Sequence, residues 1–137
     1  MAGRVPARMR IPLRPVSIDV VRPSVLIVDD HRRFRASARA LLESEGFEVV
    51  GEASDGESAL LEAAMLRPGL VLLDIQLPGR DGFSVAEQLA SDPSSPAVIL
   101  ISSRDVEAYG DRVELAPVLG FVAKNELSGE AIERLLA

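Results

Sequence analysis

From Ser24 to Phe34 the chain reads SVLIVDDHRRF: four consecutive apolar residues, Val25 to Val28, run into two adjacent carboxylates, Asp29 and Asp30, and then His31. A short apolar run rich in β-branched residues has the form of a strand buried on both faces. Two like charges at its end repel each other, so that end calls for a positive partner. The same form recurs at Phe47–Glu52, Leu70–Leu73, Ala97–Ile101 and Val118–Ala123. Longer amphipathic stretches follow each run, at about His31–Glu45, Asp55–Leu66, Gly82–Ala90, Asp105–Leu115 and Ser128–Leu136. Gly46 and the Arg67-Pro68-Gly69 sequence stand where the first two helices should stop. Repeated β-α units of this kind predict an α/β fold with a parallel sheet covered on both faces. Val85, Ala86 and Leu89 in the third helix, and Ile132, Leu135 and Leu136 in the last, are spaced as core stripes. The fourth helix, with Gly110 inside it and Tyr109 beside it, is the least stable of the set.

Composition narrows the chemistry. At 137 residues the chain fits one domain, and no apolar stretch approaches the roughly 18 residues that cross a bilayer. With no cysteine and a single histidine, disulfides, thiolate metal sites and multi-histidine sites are excluded, leaving hard cations bound by oxygen. Residues 1–23 carry Arg4, Arg8, Arg10, Arg14 and Arg22 against Asp19 alone, so the formal net charge of −6 understates the acidity of residues 24–137. An acidic body argues against direct nucleic-acid binding. Pro6, Pro12, Pro15 and Pro23 interrupt every candidate signal-peptide core in residues 1–23, which read as a disordered basic Pro/Arg-rich extension or as a tether for an acidic partner.

In an open parallel sheet, ligands bind beyond the carboxyl ends of the strands. The first strand ends in Asp29 and Asp30, the third in Asp74, the fourth in Ser102 and Ser103, and the fifth in Lys124. The second ends blandly, in Glu52 and Ala53. Each residue alone has an ordinary reading: Asp29, Asp30 or the serines as helix caps, and Asp74 as a turn former in LVLLDIQLPGRDG (Leu70–Gly82). Lys124 is the single lysine among fifteen basic residues, and a compact ammonium on a flexible stem suits an anionic oxygen in a small pocket. Clustered carboxylates, a hydroxyl and an ammonium together describe a phosphoryl-transfer site: an octahedral cation among the acids, a carboxylate nucleophile, and donors for the phosphoryl oxygens. No glycine-rich phosphate loop follows the first strand.

Across Val25 to Ala137 this constellation resembles the receiver domain of bacterial two-component response regulators, through VLIVDDH, VLLDIQLPGRDG, VILISS and GFVAKNEL in the family's order. The resemblance implies a flavodoxin-like, doubly wound five-stranded sheet of order 2-1-3-4-5 over residues 24–137. It implies Asp74 as phosphoacceptor, and Mg²⁺, or Mn²⁺ in its place, held by Asp30, by Asp29 mainly through water, by Asp74 and by the Gln76 backbone carbonyl. Ser102 matches the switch hydroxyl, Lys124 the phosphate-binding lysine, and Phe121 the aromatic that turns inward when the hydroxyl moves. A histidine kinase or phosphotransfer protein is the implied donor and an unnamed downstream protein the target. The implied setting is cytoplasmic, without membrane or direct nucleic-acid contact, as a monomer or weak homodimer. Asn125 departs from the family, where proline often follows the lysine. DDH and K-x-E-L resemble the LuxR/NarL-type subgroup, whose receivers usually precede a helix-turn-helix domain; this chain is then a stand-alone receiver or one cut from a longer protein.

Two other readings share parts of the pattern. A receiver-like module that works without phosphorylation predicts no labelling by acetyl phosphate. A haloacid-dehalogenase-type phosphohydrolase also uses a strand-end Asp, Mg²⁺ and a lysine, but its second Asp falls here on Gln76.

Overall fold

The structure is a computed structural model that describes residues 22–137. Five strands, β1 (Ser24–Val28), β2 (Glu48–Ala53), β3 (Leu70–Asp74), β4 (Ala97–Ser102) and β5 (Gly120–Ala123), form one parallel sheet of order β2-β1-β3-β4-β5. The helices are α1 (Arg32–Ser44), α2 (Gly56–Leu66), α3 (Gly82–Ala90), α4 (Arg112–Leu115) and α5 (Gly129–Leu136). This is the doubly wound order that the family resemblance implies.

The strands are continuously apolar because both sheet faces are covered, and successive residues serve opposite layers. Val25, Ile27, Leu70, Leu72, Ile99 and Ile101 pack with Ala38 and Leu42 of α1 and Ile132 of α5. Leu26, Val28, Val71, Leu73, Val98 and Leu100 face the other way, onto Ala59 and Ala63 of α2, Val85, Ala86 and Leu89 of α3, and Val113 of α4. Each fully buried aliphatic side chain contributes about 1.5–3 kcal/mol. That packing, rather than intrinsic propensity, holds helices as short as α5. Three starts are fixed by side chains: Asp55 and Ser58 form a capping box at α2, Asp81 accepts from the Ser84 N–H at α3, and Ser128 accepts from the Ala131 N–H at α5.

Strand order reverses at β1, which pairs with β2 on one side and β3 on the other. The carboxyl ends of β1 and β3 therefore flank the crevice where ligands bind in such sheets.

Two expected elements differ. The single helix expected over Asp105–Leu115 is a 3-10 turn at Val106–Tyr109 and the one-turn α4, separated at Gly110 with φ 61° and ψ −132°. Glycine alone reaches that backbone conformation readily. Only Val113 of α4 is buried, so little packing favours a longer helix. β5 starts at Gly120, not Val118, because the Val118 N–H closes a tight turn onto the Ala116 carbonyl at 2.8 Å beside Pro117.

The extension assigned to residues 1–23 lies outside the described residues except for Arg22 and Pro23. Arg22 donates to Glu133 of α5 and stacks over the Phe47 ring, 5.0 Å from its centroid.

Candidate functional site

Of the rim residues named from sequence, Asp29, Asp30, Asp74 and Lys124 meet at the carboxyl ends of β1, β3 and β5, while Ser102, ending β4, is engaged by Tyr109. Asp29, Asp74 and Ser102 are the buried polar residues of the described chain. Asp29 ends the run that β1 begins, with Asp30 exposed just beyond it. Lys124, immediately after β5, places Nζ 2.5 Å from Asp29 Oδ2, 3.3 Å from Asp74 Oδ2 and 4.7 Å from the centroid of the Phe34 ring. The capping alternative fails for the acids of β1, because α1 takes His31 at its N-cap without a side-chain hydrogen bond. Asp29 Oδ1 instead accepts from the His31 N–H at 2.8 Å. The turn-forming alternative for Asp74 is half right: Oδ1 accepts from the Gln76 N–H at 3.1 Å, while Oδ2 faces Lys124.

Burial, and after it the charge of Asp29, pushes the Asp74 carboxyl up to about 6. Burial works against the Lys124 charge, yet the contacts with Asp29 and Asp74 outweigh it and hold the ammonium above its ordinary range. One cation thus shares two buried carboxylates.

Asp29 Oδ2 is buried and has the Lys124 ammonium at 2.5 Å as its charged partner, although no well-directed hydrogen bond reaches it among the described residues. Oxygens of Asp29, Asp30 and Asp74 and a ring nitrogen of His31 lie within 4.8 Å of one another. Three carboxylates converging on one point, with a single ammonium between two of them, fit a small divalent cation.

The floor of the site depends on Gly82. A Cβ there would lie 2.4 Å from the Asp74 carbonyl oxygen and 2.8 Å from Ile75 Cα, so α3 can approach the end of β3 only with glycine. The Gly82 N–H donates to the Ile75 carbonyl at 2.8 Å, closing the loop that follows Asp74.

Three features were missed by the sequence reading. Glu52, the bland end of β2, accepts from Arg35 Nε at 2.9 Å and Arg39 Nε at 2.8 Å, and the Arg39 contact leads in lowering its pKa. Arg35 Nη1 also donates to the Asp29 carbonyl at 2.7 Å, tying α1 to the acidic rim. The four-residue spacing of the two arginines carried that signal. Ser102 Oγ lies 2.6 Å from Tyr109 Oη and accepts from the Arg104 N–H at 3.0 Å. No capping bond runs from Ser102 to α4. Phe121 is half-buried, its ring 6.4 Å from that of Tyr109, beside the site and not in it.

This fold, with its acidic rim and strand-end lysine, defines a receiver-type signalling module. The chain belongs to the response regulator receiver domain family, whose profile matches residues 25–136. Among curated relatives it is 40% identical over 84 residues to the transcriptional regulatory protein PdtaR of Mycobacterium tuberculosis, covering 60% of this chain and 41% of that one. It is 38% identical over 108 residues to the transcription regulator BvgA of Bordetella pertussis, covering 79% and 52%. The chain thus spans about half the length of the curated relatives it matches. The signal receiver domain of NarL from Mycobacterium tuberculosis superposes with a TM-score of 0.74 at 32% identity, covering 86% of this chain and 99% of that one. Among the described residues, no helix is long and apolar enough to cross a membrane.

Proposed function

We propose that the protein is a phosphorylation-dependent switch that accepts a phosphoryl group on Asp74 from a histidine kinase or phosphotransfer protein. The observation that carries this reading is the buried Asp74 carboxylate, held 3.3 Å from the Lys124 ammonium that it shares with the buried Asp29. In the transfer, an Asp74 oxygen attacks phosphorus. The phosphorus–nitrogen bond of the donor phosphohistidine breaks, and the leaving imidazole takes the bonding pair with a proton.

Asp29, Asp30, Asp74 and the Gln76 backbone carbonyl would hold Mg²⁺ or Mn²⁺, which supplies positive charge to the phosphoryl oxygens. Lys124, already poised between Asp29 and Asp74, moves its charge onto the same oxygens. The Ser102 hydroxyl donates to one of them. Asp74 must be ionised to attack; burial and the Asp29 charge oppose that form, and Lys124 and a bound cation would favour it. The acyl phosphate is lost by slow hydrolysis, so the chain acts as a switch and not as a turnover phosphatase.

The output surface of the proposal is the face of α4, β5 and α5, where Leu115 is 77% and Leu119 45% exposed. The matched relatives are described as transcriptional regulators, which favours a DNA-binding partner domain as the recipient. The acidic receiver itself makes no nucleic-acid contact in this reading, and it acts in the cytoplasm as a monomer or weak homodimer. Incubation with acetyl phosphate and Mg²⁺ tests the assignment by intact-mass analysis. One phosphoryl group is expected on the wild type and none on Asp74→Asn; unchanged labelling of that variant would overturn the site.

A further inference from the structure

The hydroxyl that should meet the phosphoryl group is already engaged. Ser102 Oγ is 2.6 Å from Tyr109 Oη, accepts from the Arg104 N–H at 3.0 Å, and makes no hydrogen bond to Asp74 among the described residues. Asp74 stands opposite Ile101 in the β3–β4 register, which places Ser102 one residue beyond it on the neighbouring strand. Either hydroxyl can be the donor in the Ser102–Tyr109 contact, so the conflict is one of position: swinging Oγ toward an oxygen on Asp74 draws it away from Oη, and the Tyr109 hydroxyl loses its partner.

We propose that Tyr109 is a positioning residue that competes with the phosphoryl group for Ser102, so that phosphorylation releases Tyr109 and moves the segment carrying it. The inference rests on the proposed role of Asp74. It goes further in naming the contact through which the site reaches α4. The surroundings of Tyr109 allow such a release. Its ring packs edge-on to Phe83 at 5.8 Å and tilted to Phe121 at 6.4 Å, both contacts of aromatic faces without further hydrogen bonds. Gly110 follows directly, with φ 61° and open space where a Cβ would sit, which makes it a pivot. Beyond it, Arg112 stacks over Phe83 at 4.1 Å and reaches Asp81 at 3.3 Å, so movement of Tyr109 also disturbs the seat of α4. Phe121 borders the space that the Tyr109 ring vacates.

The chain contains one tyrosine and no tryptophan, so its intrinsic emission reports Tyr109 alone. The test uses the full chain with Mg²⁺ and beryllofluoride as the phosphoryl mimic, with binding followed independently by calorimetry and tyrosine emission recorded in parallel. Tyr109→Phe keeps the ring between Phe83 and Phe121 and removes only the hydroxyl. The expected results are a change in wild-type emission on binding and beryllofluoride affinity about fivefold tighter in Tyr109→Phe, as loss of one competing hydrogen bond implies. The gain should vanish in a Ser102→Ala background, which a purely structural role for the tyrosine would not produce. Binding without an emission change, or with unaltered affinity in Tyr109→Phe, overturns the inference and leaves Asp74 as acceptor. Absence of any binding overturns both.

Discussion

The two sides of the β3 end are built differently. On the β1 side, α1 runs for 13 residues and is tied to β2 and the Asp29 carbonyl through Arg35, Arg39 and Glu52. On the β4 side, the connection to β5 consists of a four-residue 3-10 turn, a glycine pivot and a four-residue helix with Val113 as its buried anchor. The first arrangement fixes the groups that bind charge. The second leaves the segment proposed to respond held by few contacts, with the Ser102–Tyr109 bond a polar link to the end of β4. In the proposed switch, chemistry and response are thereby separated across one strand.

Removing the cation from the fixed side should produce the largest effect. Lys124 is 14% exposed and faces two buried carboxylates, so Lys124→Ala leaves Asp29 and Asp74 opposed without compensation. Denaturant unfolding of the metal-free protein at neutral pH should show a loss of about 3 kcal/mol. Mg²⁺ should restore part of it. A loss below that of a typical exposed ion pair would mean that the rim is not electrostatically closed. Gly82→Ala follows in size. Its new Cβ meets backbone atoms of Asp74 and Ile75, which cannot swing aside as a flexible side chain can. About 2 kcal/mol of destabilisation is expected, together with slower acetyl phosphate labelling, because the strand end itself must shift.

The smallest effect has the opposite sign. Asp74 is held with its pKa raised to about 6, first by burial and then by the charge of Asp29. A folded-state value above the unfolded one gives a contribution fully present below the unfolded pKa and lost as pH rises through about 6. Without metal at neutral pH, the native carboxylate therefore costs stability, and Asp74→Asn should stabilise the protein by about 1 kcal/mol. The gain should disappear when the same melting experiment is run at acid pH, below the ordinary aspartate range. Persistence of the gain there would assign it to packing and not to charge.

The strands were readable because burial on both faces forces unbroken apolar runs, and the rim acids because each ends such a run. Sequence order alone then put Asp29, Asp74, Ser102 and Lys124 on one edge. Tyr109 was visible only as a residue beside a helix-weakening glycine. Its contact with Ser102 depends on a turn at Val106–Tyr109 that brings two residues seven apart in sequence back together, and no periodic pattern encodes that. Glu52 was passed over because, with Ala53, it made a bland end to the second apolar run. Its meaning lies on α1, where Arg35 and Arg39 share a face toward it. The need for glycine at position 82 likewise belongs to the distance between two elements and not to either one.

Amide hydrogen exchange of the protein, free and saturated with Mg²⁺ and beryllofluoride, tests the division between a fixed side and a responsive side most directly. The account predicts altered exchange concentrated in residues 103–116, with α1 and the remainder of β1 and β3 nearly unchanged away from the ligand itself. Equal changes in α1, or saturation that leaves residues 103–116 unaffected, would contradict it.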